Sequence, residues 1–334
     1  MSSRAERLAL LVALALAACR TAPPEPSGPV VDAAPPSIIP DGFSLHDLSP
    51  SVPDAGKTAF APPDPATVAT GAPAWGKSVG HTSVVFRVRL DGGAELAFKP
   101  ESRRGKTRYR GEIAAYRLAK ALGLSNVLPA IPRTFDAKAL EAALEPSAKE
   151  LFRTEAIVTA GKVRGSAVPW LKKMEFIPLE GAPWRGRWKG WLGAAEIPED
   201  QRELAAQIAA LVVFDLLTGN WDRWSGANVA IDRPTNTLLF VDNDGAFFDP
   251  IPAEPLAAQR KQLEKTERFP RALIEALRKQ TPVSLADAFG EESPGAPLLS
   301  AKVVAGVDER RRFVLDRVDA LIKERGEAAA YAFP

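Results

Sequence analysis

Residues 214–248 read FDLLTGNWDRWSGANVAIDRPTNTLLFVDNDGAFF, and the spacing of the polar residues inside this apolar stretch decides how the chain folds. Asp222 stands beside Arg223 just after Gly219 and Asn220, where a helical run ends. Asn228 follows six positions after Asp222, and an apolar segment then delivers Asp242 into an Asn-Asp-Gly turn. An acid in a loop after a helix, then an amide, then a second acid at the end of a strand is the donor set that metal-nucleotide phosphoryl transfer requires. One carboxylate faces the attacking hydroxyl while the other and the amide hold a cation on the phosphates.

Working outward, Pro198-Glu199-Asp200 followed by Glu203 has the character of a helix start with a capping box. Leu204, Ile208 and Leu211 form the stripe of a helix running to Leu217, and Asp215 falls on that stripe. A carboxylate so placed needs a partner, and Arg223 or loop amides are within reach, so Asp215 and Arg223 are read as support rather than chemistry. After the loop, residues 229–231 and 238–241 predict two short strands joined by the turn Arg233-Pro234-Thr235-Asn236. Adjacent strands would bring Asn228 and Asp242 to one cation, with Asp244 an extra acid beside them.

Upstream, residues 84–90, VVFRVRL, alternate polar and apolar positions, Asp91-Gly92-Gly93 is a hairpin turn, and residues 95–99 return as a strand ending in Lys99. In a kinase-like lobe, Gly80 ahead of this hairpin would let backbone approach phosphates and Lys99 would contact them. A basic loop, ESRRGKTRYRG, leads to a helix over 112–122 stopped by Gly123. Glu112, Ala115, Ala119 and Leu122 step by three, four and three, so Glu112 shares the apolar face. An inward carboxylate left unpaired costs several kcal/mol. Lys99 is the expected partner, with the loop arginines as the alternative. No Walker-A spacing occurs.

Elsewhere the pattern gives a helix over 137–153, a strand over 155–159 with its neighbour after Gly161, and helices over 255–267, 270–279 and 308–325. Residues 169–193 interleave Trp170, Trp184, Trp188 and Trp191 with Lys and Arg. They read as an irregular loop that packs its tryptophans, or as a substrate-facing insertion.

Composition bounds the function. The chain has 334 residues, 46% hydrophobic and 25% charged, with a net charge of +2, so a large core is possible and many-phosphate nucleic-acid binding is not expected. Two His and one Cys exclude a zinc site of His/Cys type. That Cys19 closes Leu16-Ala17-Ala18-Cys19 after a basic start and a short apolar segment, so residues 1–18 read as a signal peptide. The tetrapeptide resembles the bacterial lipobox, which implies acylation of Cys19, membrane anchoring, and, with Arg20 following, an exported lipoprotein sorted to the outer membrane. Residues 20–73 carry 13 of the 30 prolines and few large apolar residues, so 19–73 are expected to be an extended tether. The remainder, 74–334, is expected to fold as a small lobe over about 74–168 and a larger one over about 169–334.

FDLLTGNWDRWSGANV with VDNDGAFF resembles the four-jointed and Golgi casein kinase group of atypical secretory-pathway kinases. It is more distantly similar to HipA-type, spore-coat and phosphoinositide-kinase-like enzymes. FKP followed by RGEIAAYRLAKALGL is similar to that group's lysine strand and glutamate helix. The resemblance implies an α+β, bilobal protein-kinase-like fold, with a β-rich small lobe carrying one glutamate-bearing helix and a mainly helical large lobe. It implies ATP with Mg or Mn, and an acceptor hydroxyl on a protein, sugar or lipid. Asp222 is then the catalytic acid, Asp242 the metal ligand, Lys99 the phosphate contact and Glu112 its partner. Asn228 stands one position later than the kinase pattern places its amide. The alternative function is a pseudokinase or ligand-binding surface lipoprotein that uses the same cleft.

Overall fold

The computed structural model describes residues 60–333 apart from 81–82, 173 and 226–227. Cys19, the leader and most of the Pro-rich segment lie outside the described residues. Described structure begins ahead of residue 74, the expected start of the domain. A short 3-10 helix, Pro65–Val68, is capped by Asp64, and its Val68 is fully buried in the small-lobe core. Arg133 donates to the carbonyls of Ala69 and Gly71 and fixes this approach. A single apolar anchor in a Pro-rich run has no periodicity, so the sequence pattern does not reveal it.

The small lobe is an antiparallel sheet. Strands β1 (Pro73–Ser78), β2 (Phe86–Leu90), β3 (Glu95–Pro100), β6 (Lys162–Pro169) and β4 (Ile131–Asp136) lie in the spatial order β1-β2-β3-β6-β4, and β5 (Val158–Thr159) pairs with β6. The β2–β3 hairpin closes through the expected Asp-Gly-Gly turn with Phe86 opposite Phe98. Side chains alternate across a strand, so Phe98 and Lys99 face opposite ways. The Phe98 face joins Phe86, Leu140, Phe152 and Val163 in one core, roofed by α2 (Ala137–Ala143) and α3 (Pro146–Glu155). The expected single helix over 137–153 is thus two. Pro146 has no N–H to continue the first helix, and its fixed φ suits the opening of the second. The Lys99 face is covered by α1 (Tyr109–Ala121), whose Ile113, Leu118 and Ala119 are fully buried.

The large lobe is built around α5 (Arg202–Thr218), which is buried on nearly every side from Ile208 onward, as a central helix must be. It ends at Gly219 in the left-handed conformation, φ 62°, and this cap throws Asn220 and Asp222 into the loop beyond. A three-stranded sheet, β7 (Glu175–Phe176), β8 (Val229–Asp232) and β9 (Thr237–Phe240), follows the expected strand-turn-strand pattern, with Val229 opposite Phe240. Helices α6 (Ala253–Glu264), α7 (Arg271–Lys279), α8 (Pro282–Phe289), a hairpin of β10 (Glu291–Ser293) and β11 (Ala296–Pro297), and the long α9 (Ala301–Arg325) with α10 (Glu327–Ala330) complete it. The Trp-rich segment is not the expected loop. It contains α4 (Trp184–Leu192), which buries Trp184, Trp188 and Trp191, with Trp188 stacked on Trp224 at 5.2 Å. No helix among the described residues is long and apolar enough to cross a membrane.

Candidate active site

Lys99 reaches the site because it is the penultimate residue of β3 and points off the sheet face opposite Phe98. Its Nζ lies 2.5 Å from Glu112 Oε1 and 2.6 Å from Asp242 Oδ1, with Asp244 at 3.5 Å. The helix face read from the spacing therefore presents Glu112 to the lysine and not to the loop arginines. Burial opposes the charge of Lys99, but Asp242, Glu112 and Asp244 together hold its pKa well above the ordinary lysine value. Burial raises the pKa of Glu112, which Lys99 only partly offsets; burial would also raise Asp242, but there Lys99 prevails and the carboxyl stays below its usual range. One ammonium thus joins a small-lobe helix to a large-lobe loop.

The loop after β9 is shaped for this. Asp242 takes φ 55°, a left-handed conformation that Asp tolerates better than most residues but that still carries strain. Asn243 then donates its backbone N–H to Glu112 Oε1 at 2.9 Å and its side-chain amide to the Phe240 carbonyl. Gly111 makes this approach possible, because a Cβ there would stand 2.5 Å from the Asn243 carbonyl. Gly245 is equally constrained, since its Cβ would lie 2.9 Å from the Asp222 Cβ. Asp222 is therefore packed against the turn that carries Asp242. Asn220 ties the two further, accepting from the Asp222 N–H at 3.1 Å and donating to the Asp242 carbonyl at 3.4 Å.

Arg223 organises the floor. Its side chain is wholly buried and donates to Asp215 Oδ1 at 3.0 Å, the Asn228 carbonyl at 2.7 Å, Asn243 Oδ1 at 2.6 Å and the Val241 carbonyl. Burial pushes the Asp215 carboxyl up to about 6, although Arg223 pulls the other way. The pair lies beneath the loops that carry Asp222 and Asp242. Asn228, the amide expected to help hold a cation, donates its side-chain N–H to the Asp222 carbonyl at 2.7 Å, a bond that does not involve its ligand atom Oδ1.

The roof comes from the β1–β2 connection and from the loop before α1. Gly80 sits where a Cβ would meet the Ser83 carbonyl at 2.1 Å, so position 80 admits no side chain. Ser83 Oγ then donates to Asp244 Oδ2 at 2.8 Å. Arg108, one of the basic-loop arginines that the sequence offers as alternative partners of Glu112, instead bonds Asp244 Oδ1 at 2.9 Å and lies over the rings of Trp221 and Phe248. Asn243, Arg108, Ser83 and Asn220 are the participants that spacing alone did not single out. Asn220 and Asn243 were visible as amides flanking the acids and Arg108 as one of several basic-loop residues, whereas Ser83 carries no local signal.

Asp242 keeps about a third of its side chain exposed, 35%, while Asp244 is held at 5% between cations and a hydroxyl. Among the described residues no three His, Cys, Asp or Glu side chains form a ready-made metal cage. Two carboxylates that meet on Lys99, one of them partly exposed, still fit Mg or Mn, which take few protein oxygens and complete their shell with phosphates and water.

A sheet lobe with a lysine–glutamate bridge, set over a helical lobe that carries the acids on a loop and a strand end, is the bilobal protein-kinase-like fold. Solved structures agree. The crystal structure of the Golgi casein kinase with Mn/ADP bound matches with a TM-score of 0.62 at 16% identity, covering 80% of this chain and 77% of that one. The structure of hydra Fam20 with sugar matches with a TM-score of 0.59 at 16% identity, covering 80% and 90% respectively. No protein-family model and no curated protein sequence matches the chain. At this identity the likeness is one of fold.

Proposed function

We propose that the chain is a phosphotransferase that uses ATP with Mg or Mn to phosphorylate a hydroxyl on a protein, sugar or lipid. The observation that carries this reading is Lys99 bonded at once to Glu112 and Asp242 across the two lobes. A buried lysine so placed offers a fixed cation to nucleotide phosphates, and Glu112 keeps it aimed when Asp242 turns to a metal. Asp242, with Asp244 beside it, would hold the ion, which when bound supplies charge neutralisation along the phosphates. Asp222, seated against the same turn, would orient the acceptor hydroxyl and take its proton. Gly80 and its turn would lie over the phosphates, and Asn228 would keep the Asp222 loop in shape.

The test is incubation of the chain with labelled ATP and Mg or Mn, comparing wild type with Asp222→Ala and Asp242→Ala. Transfer to itself, to water or to added hydroxyl compounds should be lost in both variants. Equal label in all three would overturn the enzyme reading. Nucleotide-plus-metal stabilisation that persists in Asp222→Ala with no transfer even from wild type would favour a binding-only protein using this cleft. The leader pattern supports a further proposal, export with anchoring through an acylated Cys19. Mass spectrometry of the N-terminal peptide from cells would decide it, an unmodified Cys19 being the refuting result.

A further inference from the structure

Helix α1 carries Glu112, so whatever fixes α1 fixes the lysine bridge. Its own sheet supplies one side. The other side is gripped by the end of α8 and the β10–β11 hairpin, more than 170 positions later in the chain and part of the large lobe. Tyr109, the first residue of α1 and only 2% exposed, donates its hydroxyl to Glu292 Oε1. Arg110 pairs with the other oxygen of the same carboxylate at 2.7 Å, and the Glu292 side chain is itself 7% exposed. Two turns along α1, Arg117 donates to the Phe289 carbonyl and to the Glu291 carbonyl at 2.9 Å. Phe289 also meets Phe247 edge to face at 5.5 Å, on the turn that carries Asp242 and Asp244. Burial raises the Tyr109 phenol, so it stays a proton donor to the carboxylate.

These contacts join three things: the start of α1, the loop of the site acids, and a hairpin the proposed chemistry does not use. Resting on the phosphotransferase reading for its functional consequence, we propose that Glu292 is a positioning residue. Through Tyr109 and Arg110 it clamps α1 from the large lobe, keeps Glu112 on Lys99, and so sets the two lobes in register. It touches no reacting atom and acts through Glu112.

The experiment uses the full chain with Glu292→Ala, Glu292→Gln and Tyr109→Phe. Hydrogen exchange of residues 109–121 should accelerate on the order of tenfold or more in each, the effect of one lost charge-assisted hydrogen bond, while α5 and α9 keep their protection. In the transfer assay kcat should fall at least about tenfold in Glu292→Ala with a smaller change in the KM for ATP. Glu292→Gln, which still accepts from Tyr109, should recover part of the loss, and the double variant Tyr109→Phe with Glu292→Gln should be less than additive. Unchanged exchange in 109–121, or exchange that rises equally throughout the large lobe, would overturn the clamp. So would a Glu292→Ala variant with wild-type kcat. A wild type that transfers no phosphate and gains nothing from nucleotide would sink the phosphotransferase reading alone, since the exchange result still decides whether the clamp exists.

Discussion

Arg223→Ala is the substitution whose cost the structure predicts most directly. The guanidinium is 0% exposed and its partner Asp215 is 1% exposed, so neither finds water when the other is removed. Removing one member of a buried ion pair typically costs about 3–5 kcal/mol. The same truncation strands the Val241 carbonyl and Asn243 Oδ1, at roughly 1–3 kcal/mol for each acceptor that water cannot reach, while the Asn228 carbonyl keeps the Val241 N–H. The total is at least about 3–5 kcal/mol and approaches the whole stability of an ordinary domain. Urea unfolding at neutral pH should therefore show a midpoint near zero denaturant, and the deficit should shrink in acid, where the orphaned Asp215 takes a proton. Adding Asp215→Leu should recover the part of the loss that comes from the buried charge, yet leave transfer abolished because the loops of Asp222 and Asp242 stay untethered. A loss below about 1 kcal/mol for Arg223→Ala, or no recovery with Asp215→Leu, would refute the view of Arg223 as the tie beneath the site.

The other expectations concern charge and space around the cleft. Lys99→Met and Glu112→Gln should each abolish transfer, and each should destabilise by about 3–5 kcal/mol, whereas the double variant should cost much less than the sum; additive costs in thermal or urea unfolding would argue against a coupled pair. Gly111→Ala should lose roughly 1–3 kcal/mol because its Cβ has only 2.5 Å to the Asn243 carbonyl. Gly92→Ala, with nothing within 4 Å, should be close to neutral, and equal effects would refute the close approach. For pH, the folded Asp215 carboxyl near 6 exceeds its ordinary 3.8, so ionisation works against folding. The penalty is absent below 3.8, grows as pH rises to about 6 and is constant above, reaching roughly 3 kcal/mol. The stability of Asp215→Asn relative to wild type should climb over that window, and a flat difference would contradict it.

Much of the site was legible because local rules wrote it. Period-two alternation gave the β2–β3 hairpin and placed Lys99 at its end, and the three-four-three spacing turned Glu112 inward. The strand, turn and strand before Asp242 carry ordinary β patterning with a turn-forming Arg-Pro-Thr-Asn. Other elements hid for equally local reasons. Helix α4 carries its stripe in Trp184, Trp188, Trp191 and Leu192, but two glycines within nine residues and the Gly- and Pro-bearing flanks hide it, and Trp188 finds its stacking partner Trp224 only in the fold. Helix α8 has eight residues, too few to establish a period. Residues 65–68 contribute one buried valine, below any pattern's threshold.

By itself the sequence determined which residues could serve: a strand lysine, an inward glutamate and two acids on loops that follow a helix and a strand. Their meeting was decided only by the tertiary structure. The choice by Glu112 of Lys99 over the nearby arginines, the burial of Arg223 beneath two loops, the turn of Arg108 and Ser83 onto Asp244, and the grip of Glu292 on α1 join positions from 5 to more than 180 residues apart. Local propensity acts over a few residues of chain. Which distant charges pair is set by burial, where an unpartnered charge is too costly to leave alone, and burial exists only once the lobes have packed.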